Sequence, residues 1–383
     1  MLKRLKRKIK KLKEVLKLKK KICFLMIFVL LMSLLPAFGL ANPVKPEDSK
    51  QKQQTENKQE KIIVKEQLLD EKGQIIEDEV SILAPPKKVV VLGCYGAEML
   101  KAIGVENTVI AVDDYTKEKN GWPDFVKNIP SVGASNTPSI EKIIELKPDL
   151  VIEGFLDPKL KTQLLNCGIP VLKIYGYRTE LITSEIETLG KVFKCQTRAH
   201  EYANYIEKQW QAIRDRTKGL TEKDKPKVYW ESGLGDWKTQ SYGSGAHSLI
   251  EWAGGINIAA DQKLSYPTVT PEWVASKNPD VIIKYVDAPI TGWNGDIKKL
   301  EEIRQQILNR PALKNTNAVK NGRVYLVSSK ITCAPQGAAG EWYIAKWLHP
   351  ELFKDVNPQS IHKEMLKKFY GQEYKGVWVY PVQ

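Results

Sequence analysis

Short apolar, β-branched runs alternate with segments of helical periodicity along most of the chain. In the first half, predicted strands lie at 88–92, 109–112, 150–153 and 170–174, and predicted helices at 97–103, 139–146, 159–167 and 181–193. From residue 227 the alternation restarts, with predicted strands at 227–231, 281–284 and 323–327 and helices at 247–252, 271–276, 297–308, 340–348 and 358–370. This pattern predicts an α/β fold in which helices cover central parallel sheets.

One long helical segment, residues 197–218, separates the two halves. It holds no Gly or Pro, and its apolar residues recur at steps of three and four, at Ala199, Tyr202, Ala203, Ile206, Trp210 and Ile213. At 1.5 Å per residue it would span about 33 Å, the length of a small domain. We expect one rigid helix that joins two lobes.

An internal match supports two lobes of similar design. Ser139 and Glu141 precede the segment KPDLVI at 147–152, and Thr270 and Glu272 precede NPDVII at 278–283, at a constant offset of 131. Each copy predicts a hydroxyl N-cap, a Glu in the first helical turn, a helix ended by Pro, and a strand.

The N-terminus differs in composition from the rest of the chain. Residues 1–21 are rich in Lys and Arg, residues 22–41 are apolar, and residues 42–60 are almost entirely polar. We expect the following organisation: a signal peptide or N-terminal anchor at 1–41, a flexible linker at 42–60, an N-terminal lobe at 61–180, the helices that lead into and form the connection at 181–220, and a C-terminal lobe at 221–383.

Charge and cysteine content exclude several classes of function. Residues 1–21 hold 12 of the 59 basic residues and one of the 45 acidic ones, which leaves 47 and 44 for the rest. This near balance gives no electrostatic case for nucleic-acid binding. Four cysteines follow the apolar segment without any CxxC spacing, so neither a zinc site nor a disulfide scaffold is indicated, and their disulfide state stays open: Cys94, Cys167, Cys195 and Cys333.

Five segments and the long helix at 197–218 follow one another in a characteristic order; the segments are GQIIEDEVSILAPPKKVVVLGCYGAEMLKAIG, VGASNTPSIEKIIELKPDLVI, YGSGAHSLIEWAGGINIA, TPEWVASKNPDVIIKY and WLHPELFKDVNP. In this order the chain, over about Val64 to Tyr380, resembles the class III solute-binding proteins of ABC importers, which capture iron-siderophores, haem and cobalamin. The resemblance implies two α/β lobes, a long connecting helix, and a ligand cleft between the lobes. It also implies that Glu141 and Glu272 dock onto arginines of a membrane permease, whereas each could simply stabilise its helix N-terminus.

Residues that follow the predicted strands are candidates for lining the cleft, because ligands of parallel sheets gather at the carboxyl ends of the strands. Aromatic faces suit a large flat or caged chelate. The candidate ligand-binding residues are Tyr95, Tyr115, Phe155, Trp237, Tyr242, His247, Tyr266, Trp293 and Gln336. His247 could ligate a metal or haem iron, or could be a capping or surface residue.

We expect no enzyme, because the chain lacks GxSxG, HExxH, Walker A and a GxGxxG after a strand. We expect an exported, monomeric binding component of an ABC importer that passes a metal chelate to a permease with its ATPase. The chelate is the transported ligand, and no further cofactor is expected. A membrane-tethered ligand sensor and a binder of a metal oxyanion are the alternatives, and the sequence does not choose among ferric siderophore, haem and corrinoid.

Overall fold

The computed structural model describes residues 59–69, 74–119, 126–233, 235–332 and 335–382. The predicted signal or anchor segment at 1–41 and the linker up to residue 58 lie outside these residues. Residues 57–383 form one compact unit. In the described part, no helix combines the length and the apolar character needed to cross a membrane.

The N-terminal half is built on a parallel sheet of four strands in the order β4-β3-β5-β6. Before it lies an antiparallel hairpin of two ten-residue strands. The elements are β1 (Glu60–Leu69), β2 (Ile75–Ala84), β3 (Val89–Leu92), α1 (Cys94–Ala102), β4 (Val109–Val112), α2 (Asp114–Lys119), α3 (Ile140–Leu146), β5 (Leu150–Glu153), α4 (Pro158–Asn166), β6 (Val171–Lys173) and α5 (Ile182–Val192). Strands β3 and β5 are buried at every position, as expected of strands covered on both faces.

The C-terminal half contains a sheet of five strands in the order β11-β10-β9-β7-β8. All neighbours are parallel except β11, which pairs antiparallel with β10. The elements are β7 (Lys227–Glu231), α7 (Gly245–Trp252), β8 (Ile256–Asn257), α8 (Pro271–Lys277), β9 (Val281–Val286), α9 (Ile297–Leu308), α10 (Asn317–Lys320), β10 (Val324–Ser328), α11 (Gly337–Leu348), α12 (Pro358–Met365) and β11 (Val379–Tyr380). The predicted α/β class with parallel sheets in both halves is confirmed.

The long helix α6 (Gln196–Thr217) lies between the two halves in the chain. Its buried positions include all six of the predicted apolar residues. It packs against α5 of the N-terminal half and against α7 and α11 of the C-terminal half. One continuous hydrophobic core therefore contains Val89 of the first sheet, Trp210 of α6 and Val228 of the second sheet.

The internal repeat is visible in the capping of α3 and α8. The side chain of Ser139 accepts a hydrogen bond from the backbone N–H three residues on, and Thr270 does the same at the start of α8. Both helices end on a non-glycine residue in the left-handed conformation, Lys147 with φ 50° and Asn278 with φ 45°. The predicted hydroxyl caps are confirmed.

The strands of the repeat are tied to their sheets in the same way. The carboxylate of Asp149 accepts a hydrogen bond from the backbone N–H just before β3, at 3.0 Å, and Asp280 accepts one from the first residue of β7, at 2.9 Å. Glu141 and Glu272 are both exposed in the first turns of α3 and α8. The two glutamates thus occupy equivalent positions in the two halves.

Glu341 generates a prediction about stability. It lies fully buried in α11, and neither carboxylate oxygen has a hydrogen-bond partner among the described residues. Burial raises its pKa well above the usual value. Because this pKa is raised in the folded protein, stability is complete below the pKa of the unfolded state and is lost as the pH rises, by up to about 1.4 kcal/mol per pH unit.

We expect Glu341→Gln to remove this loss, so that the variant gains free energy of unfolding over the wild type as the pH increases from 5 to 8. Denaturant titrations at several pH values measure it. Glu351→Gln, at an exposed position, is the control and should follow the wild type. If the Glu341→Gln curve runs parallel to the wild type, the carboxyl group is not held protonated.

Candidate functional site

A cavity of about 410 Å³ opens where the carboxyl ends of the two sheets face each other. From the N-terminal half it is lined after β3 by Cys94 and Tyr95, after β4 by Tyr115, after β5 by Phe155 and after β6 by Tyr177. The C-terminal half contributes Ser232, Gln240, Gly245, Tyr266 and Tyr285. Four successive strand ends of one sheet thus converge on one space, as expected for a ligand site in an open parallel sheet.

Six aromatic side chains dominate the lining: Tyr95, Tyr115, Phe155, Tyr177, Tyr266 and Tyr285. The rings of Phe155 and Tyr177 are stacked, with centroids 5.4 Å apart and planes 10° from parallel. Phe155 is 47% exposed and Tyr266 is 43% exposed, so both rings are largely open to solvent although they line a cavity. Rings exposed in a concave surface indicate a site that a ligand covers.

A buried carboxylate fixes the turn that carries Tyr177. Glu185 of α5 accepts hydrogen bonds from the backbone N–H groups of Tyr175 at 2.6 Å and of Gly176 at 2.9 Å. Burial raises the pKa of Glu185 to about 7, although the two N–H groups act in the opposite direction. Burial also raises the pKa of Tyr177 to about 12, so its hydroxyl stays protonated at neutral pH.

A second buried carboxylate, Asp113, holds the turns after β3 and β4 together. It accepts hydrogen bonds from the backbone N–H of Gly93 at 2.7 Å and of Thr116 at 3.0 Å, and from the Thr116 hydroxyl. The first bond fixes Gly93, whose φ of +141° turns the chain directly from β3 into α1. Asp113 therefore positions both Tyr95 and Tyr115.

The halves also contact each other beside the cavity. The Arg178 guanidinium donates a hydrogen bond to the carbonyl oxygen of Gly243 at 2.9 Å and pairs with Glu180. Arg178 follows Tyr177, and Gly243 precedes Gly245, so both partners lie next to lining residues. This contact joins the two halves next to the cavity.

The predicted site residues fall into three groups. Tyr95, Tyr115, Phe155 and Tyr266 line the cavity. Trp293 lines a neighbouring cavity. The other four are not among the described residues that line either space: Trp237, Tyr242, His247 and Gln336.

Trp237 and Gln336 have other contacts. Trp237 has an unusual φ of +62°, and the Arg310 guanidinium lies 4.6 Å from the centre of its ring. Gln336 is buried and donates a hydrogen bond to Glu98 at 3.1 Å, while its oxygen lies 3.2 Å from Nε2 of His362. These contacts occupy both side chains within the fold.

His247 and Tyr242 form an edge-to-face pair with ring centroids 5.4 Å apart. His247 lies in the first turn of α7, and its Nδ1 is 3.5 Å from the amide nitrogen of Asn257. Tyr242 is 73% exposed. Within the described ranges, no group of three or more His, Cys, Asp or Glu residues is arranged to hold a metal ion.

Of the four cysteines after the apolar segment, Cys94 is buried and lines the cavity. Cys167 is exposed and Cys195 half-buried, both as free thiols. Cys333 lies outside the described residues, so the structure does not test a pairing that involves it.

The candidate ligand-binding residues did not include Tyr177, Tyr285 or Asp113. Tyr177 lies in the turn after β6, one of the strand ends where a ligand was expected, but the residue itself was not singled out. Tyr285 escaped notice because β9 runs to Val286, two residues beyond the predicted end. Asp113 follows β4 directly, but nothing in the local sequence shows that its carboxylate binds the backbone of another strand end.

The geometry defines a class of protein: two α/β halves that enclose an aromatic ligand cavity at facing strand ends. The family model described as periplasmic binding protein matches residues 89–331, more than half of the chain. The chain belongs to this family, which confirms the resemblance to class III solute-binding proteins. It is a solute-binding protein and not an enzyme.

Three known proteins show the extent of the similarity. An uncharacterized ABC transporter substrate-binding lipoprotein, YvrC of Bacillus subtilis, is 27% identical over 337 residues, which cover 85% of this chain and 97% of that protein. The vitamin B12-binding protein of Salmonella typhi is 27% identical over 214 residues, 55% of this chain and 76% of that protein. The solved structure of MolA of Haemophilus influenzae bound to molybdate has a TM-score of 0.66 at 22% identity and covers 81% of this chain and 99% of that chain.

Gly176 generates a prediction about how the site is held. An alanine there would place its Cβ 2.2 Å from Cβ of Tyr95, at a φ of +66°. Gly104 has a similar φ of +80°, but a Cβ there would meet nothing within 4 Å. Both Gly→Ala changes carry the left-handed backbone penalty of about 1–2 kcal/mol, and only the first adds a steric clash of about 1–3 kcal/mol.

Denaturant titrations should therefore show a clearly larger loss of unfolding free energy for Gly176→Ala than for Gly104→Ala. Equal losses in the two variants would show that the turn after β6 does not pack tightly on α1.

Proposed function

We propose that this protein binds a metal chelate of low charge outside the cytoplasm and delivers it to an ABC permease with its ATPase. The observation that carries the proposal is the aromatic cavity of about 410 Å³ between the two halves. Its size falls within the range of small-molecule sites. Export and delivery are supported by family membership and by the similarity to a substrate-binding lipoprotein.

The lining favours a flat chelate over a highly charged ligand. Six aromatic faces offer a large apolar area with few rotatable bonds, so they bind a planar ring at low cost in conformational entropy. None of the described residues that line this cavity is Lys or Arg. A corrinoid or a haem fits these walls better than a strongly anionic ferric siderophore, and the similarity to a vitamin B12-binding protein favours the corrinoid.

A free metal oxyanion is the alternative suggested by the similarity to MolA. An oxyanion is bound through several hydrogen-bond donors or cations that converge on its oxygens. Among the described residues, the lining holds no Lys or Arg, and its carboxylate, Asp113, would repel an anion. Aromatic rings fill most of the remaining surface, so the lining supports a chelate and not a bare oxyanion.

Glu141 and Glu272 are the proposed permease contacts. Both are exposed at equivalent positions of α3 and α8, which are capped and tied to their sheets by the same hydrogen bonds. Two carboxylates on rigid, equivalent elements form a two-point surface for arginines of a partner. Neither carboxylate forms an ion pair with another described residue, so no such pair has to be broken before an arginine of the partner can bind.

Titration with cyanocobalamin, haemin and sodium molybdate tests the ligand class. We expect at least one of the two chelates to bind, with a change in its visible spectrum, and molybdate not to bind. Phe155→Ala and Tyr115→Ala should each weaken the binding of that chelate about tenfold, because each removes a stacking face.

Tyr242→Ala is the matched control for these variants, because Tyr242 is an exposed aromatic residue outside the cavity lining. It should change the affinity less than about twofold. Binding of molybdate alone, or equal losses in all three variants, would contradict the proposed site.

Reversal of both docking charges tests delivery. We expect Glu141→Arg/Glu272→Arg to bind the chelate with unchanged affinity but to stimulate the ATPase of its permease complex about tenfold less, because like charges would face each other in the complex. The control is Glu145→Arg/Glu301→Arg, which reverses two exposed charges on α3 and α9. If both double variants stimulate the ATPase normally, the permease contacts lie elsewhere.

A further inference from the structure

A second cavity, of about 290 Å³, lies in the same cleft. We name it the polar chamber; the residues that matter in its lining are Glu118, Thr291, Trp293, Asn294 and Lys330. Glu118 belongs to the N-terminal half and the others to the C-terminal half. The polar chamber is therefore also a space between the two halves.

The polar chamber and the aromatic cavity share two walls. On one side, α2 presents Tyr115 to the aromatic cavity and Glu118 to the polar chamber, and residues three apart lie on the same face of a helix. On the other side, β9 carries Tyr285 in the aromatic cavity, and the chain continues to Ala288 in the polar chamber.

The strand order agrees with this placement. Strand β9 lies between β7 and β10 in the sheet. The aromatic cavity includes Ser232, just after β7, and the polar chamber includes Lys330, just after β10. The two spaces are thus neighbours along one edge of the sheet.

The lining of the polar chamber differs in chemistry from that of the aromatic cavity. It contains an ammonium group, a carboxylate and an amide, from Lys330, Glu118 and Asn294. Lys330 is 9% exposed, while Glu118 and Asn294 are exposed. Because a charge withdrawn from water interacts more strongly than a solvated one, Lys330 is the dominant charge of the chamber.

Lys330 also acts on a buried carboxyl group next to the chamber. Its charge lies near the buried carboxyl of Glu98 on α1, where it opposes the effect of burial, which raises the pKa of Glu98 to about 7. Glu98 is itself held by Gln336, at 3.1 Å, and by the hydroxyl of Tyr370, at 2.9 Å. Helix α1 begins at Cys94 in the aromatic cavity, so one short helix carries both a residue of that cavity and the carboxyl group near Lys330.

We propose that the polar chamber binds an anionic arm of the same ligand whose flat part lies in the aromatic cavity. The anionic group, a phosphate or a carboxylate, lies toward Lys330, and hydroxyl or amide groups of the arm meet Asn294 and Glu118. This inference rests on the proposed function, because it needs a chelate in the aromatic cavity.

Two pairs of probes, each with one member that carries an anionic group and one that lacks it, test the inference. Cyanocobalamin carries a phosphodiester in its nucleotide arm and dicyanocobinamide lacks that arm, whereas haemin carries carboxylates that are masked in its dimethyl ester. Lys330→Met and Asn294→Phe should each weaken binding of the anionic member of the bound pair about tenfold. Binding of the member without the anionic group should weaken less than about twofold. Titration followed by visible absorption measures both affinities.

Two controls separate local from structural effects. Lys298→Met removes an exposed charge on α9 and should leave all four affinities unchanged. Asn294→Phe fills the chamber without touching the charge beside Glu98, so it reports on the chamber even if Lys330→Met lowers the melting temperature.

The outcomes distinguish the two proposals. If both members of a pair bind the wild type and the chamber variants weaken them equally or not at all, the inference is wrong while the proposed function stands. If no chelate binds the wild type, the proposed function fails and the inference fails with it. Weaker binding of the anionic member alone supports the inference. The pair in which this happens shows whether the anion is a phosphate or a carboxylate.

Discussion

The apolar stripe of α6 is the constraint on which the rest of the structure depends. Its side chains belong to one hydrophobic core that also includes residues of both sheets. Tyr202 and Trp210 are fully buried there, and burial of such large side chains stabilises by about 1.5–3 kcal/mol each. A rotation of one half against the other would have to break this core. The core around α6 therefore limits how far the facing strand ends can move apart.

Two buried carboxylates hold the turns at the strand ends in place. Asp113 and Glu185 bind backbone N–H groups of the turns, so the turns are held without use of the aromatic side chains. The rings of Phe155 and Tyr266 are then left partly exposed in the cleft. Large exposed apolar groups are unfavourable in water, and they persist in a folded protein where binding removes them from solvent. Polar groups therefore hold the turns, and aromatic rings form most of the surface that is open to a ligand.

Much of the fold was predictable because its signals are local. Buried β-branched runs, capped helices and the offset of 131 residues are visible in the sequence, and residues directly after strands, such as Tyr95 and Phe155, could be placed in the cleft. Gln336 and Trp237 could not be placed, because their surroundings come from distant segments. Gln336 contacts Glu98, 238 residues earlier, and Trp237 lies against Arg310. Such pairs depend on tertiary packing, for which a single sequence carries no periodic signal.

In each half, the repeated helix and strand link an exposed glutamate to a sheet that borders the cleft. The helix that carries Glu141 is followed by β5, and the helix that carries Glu272 is followed by β9; in each case an aspartate binds the backbone at the first strand of the sheet. Each glutamate is therefore fixed relative to its own sheet. Any change in the angle between the sheets must change the spacing of the two carboxylates as well as the width of the cleft. Because the core around α6 limits that change, one set of apolar contacts constrains both the cavity and the spacing of the two carboxylates.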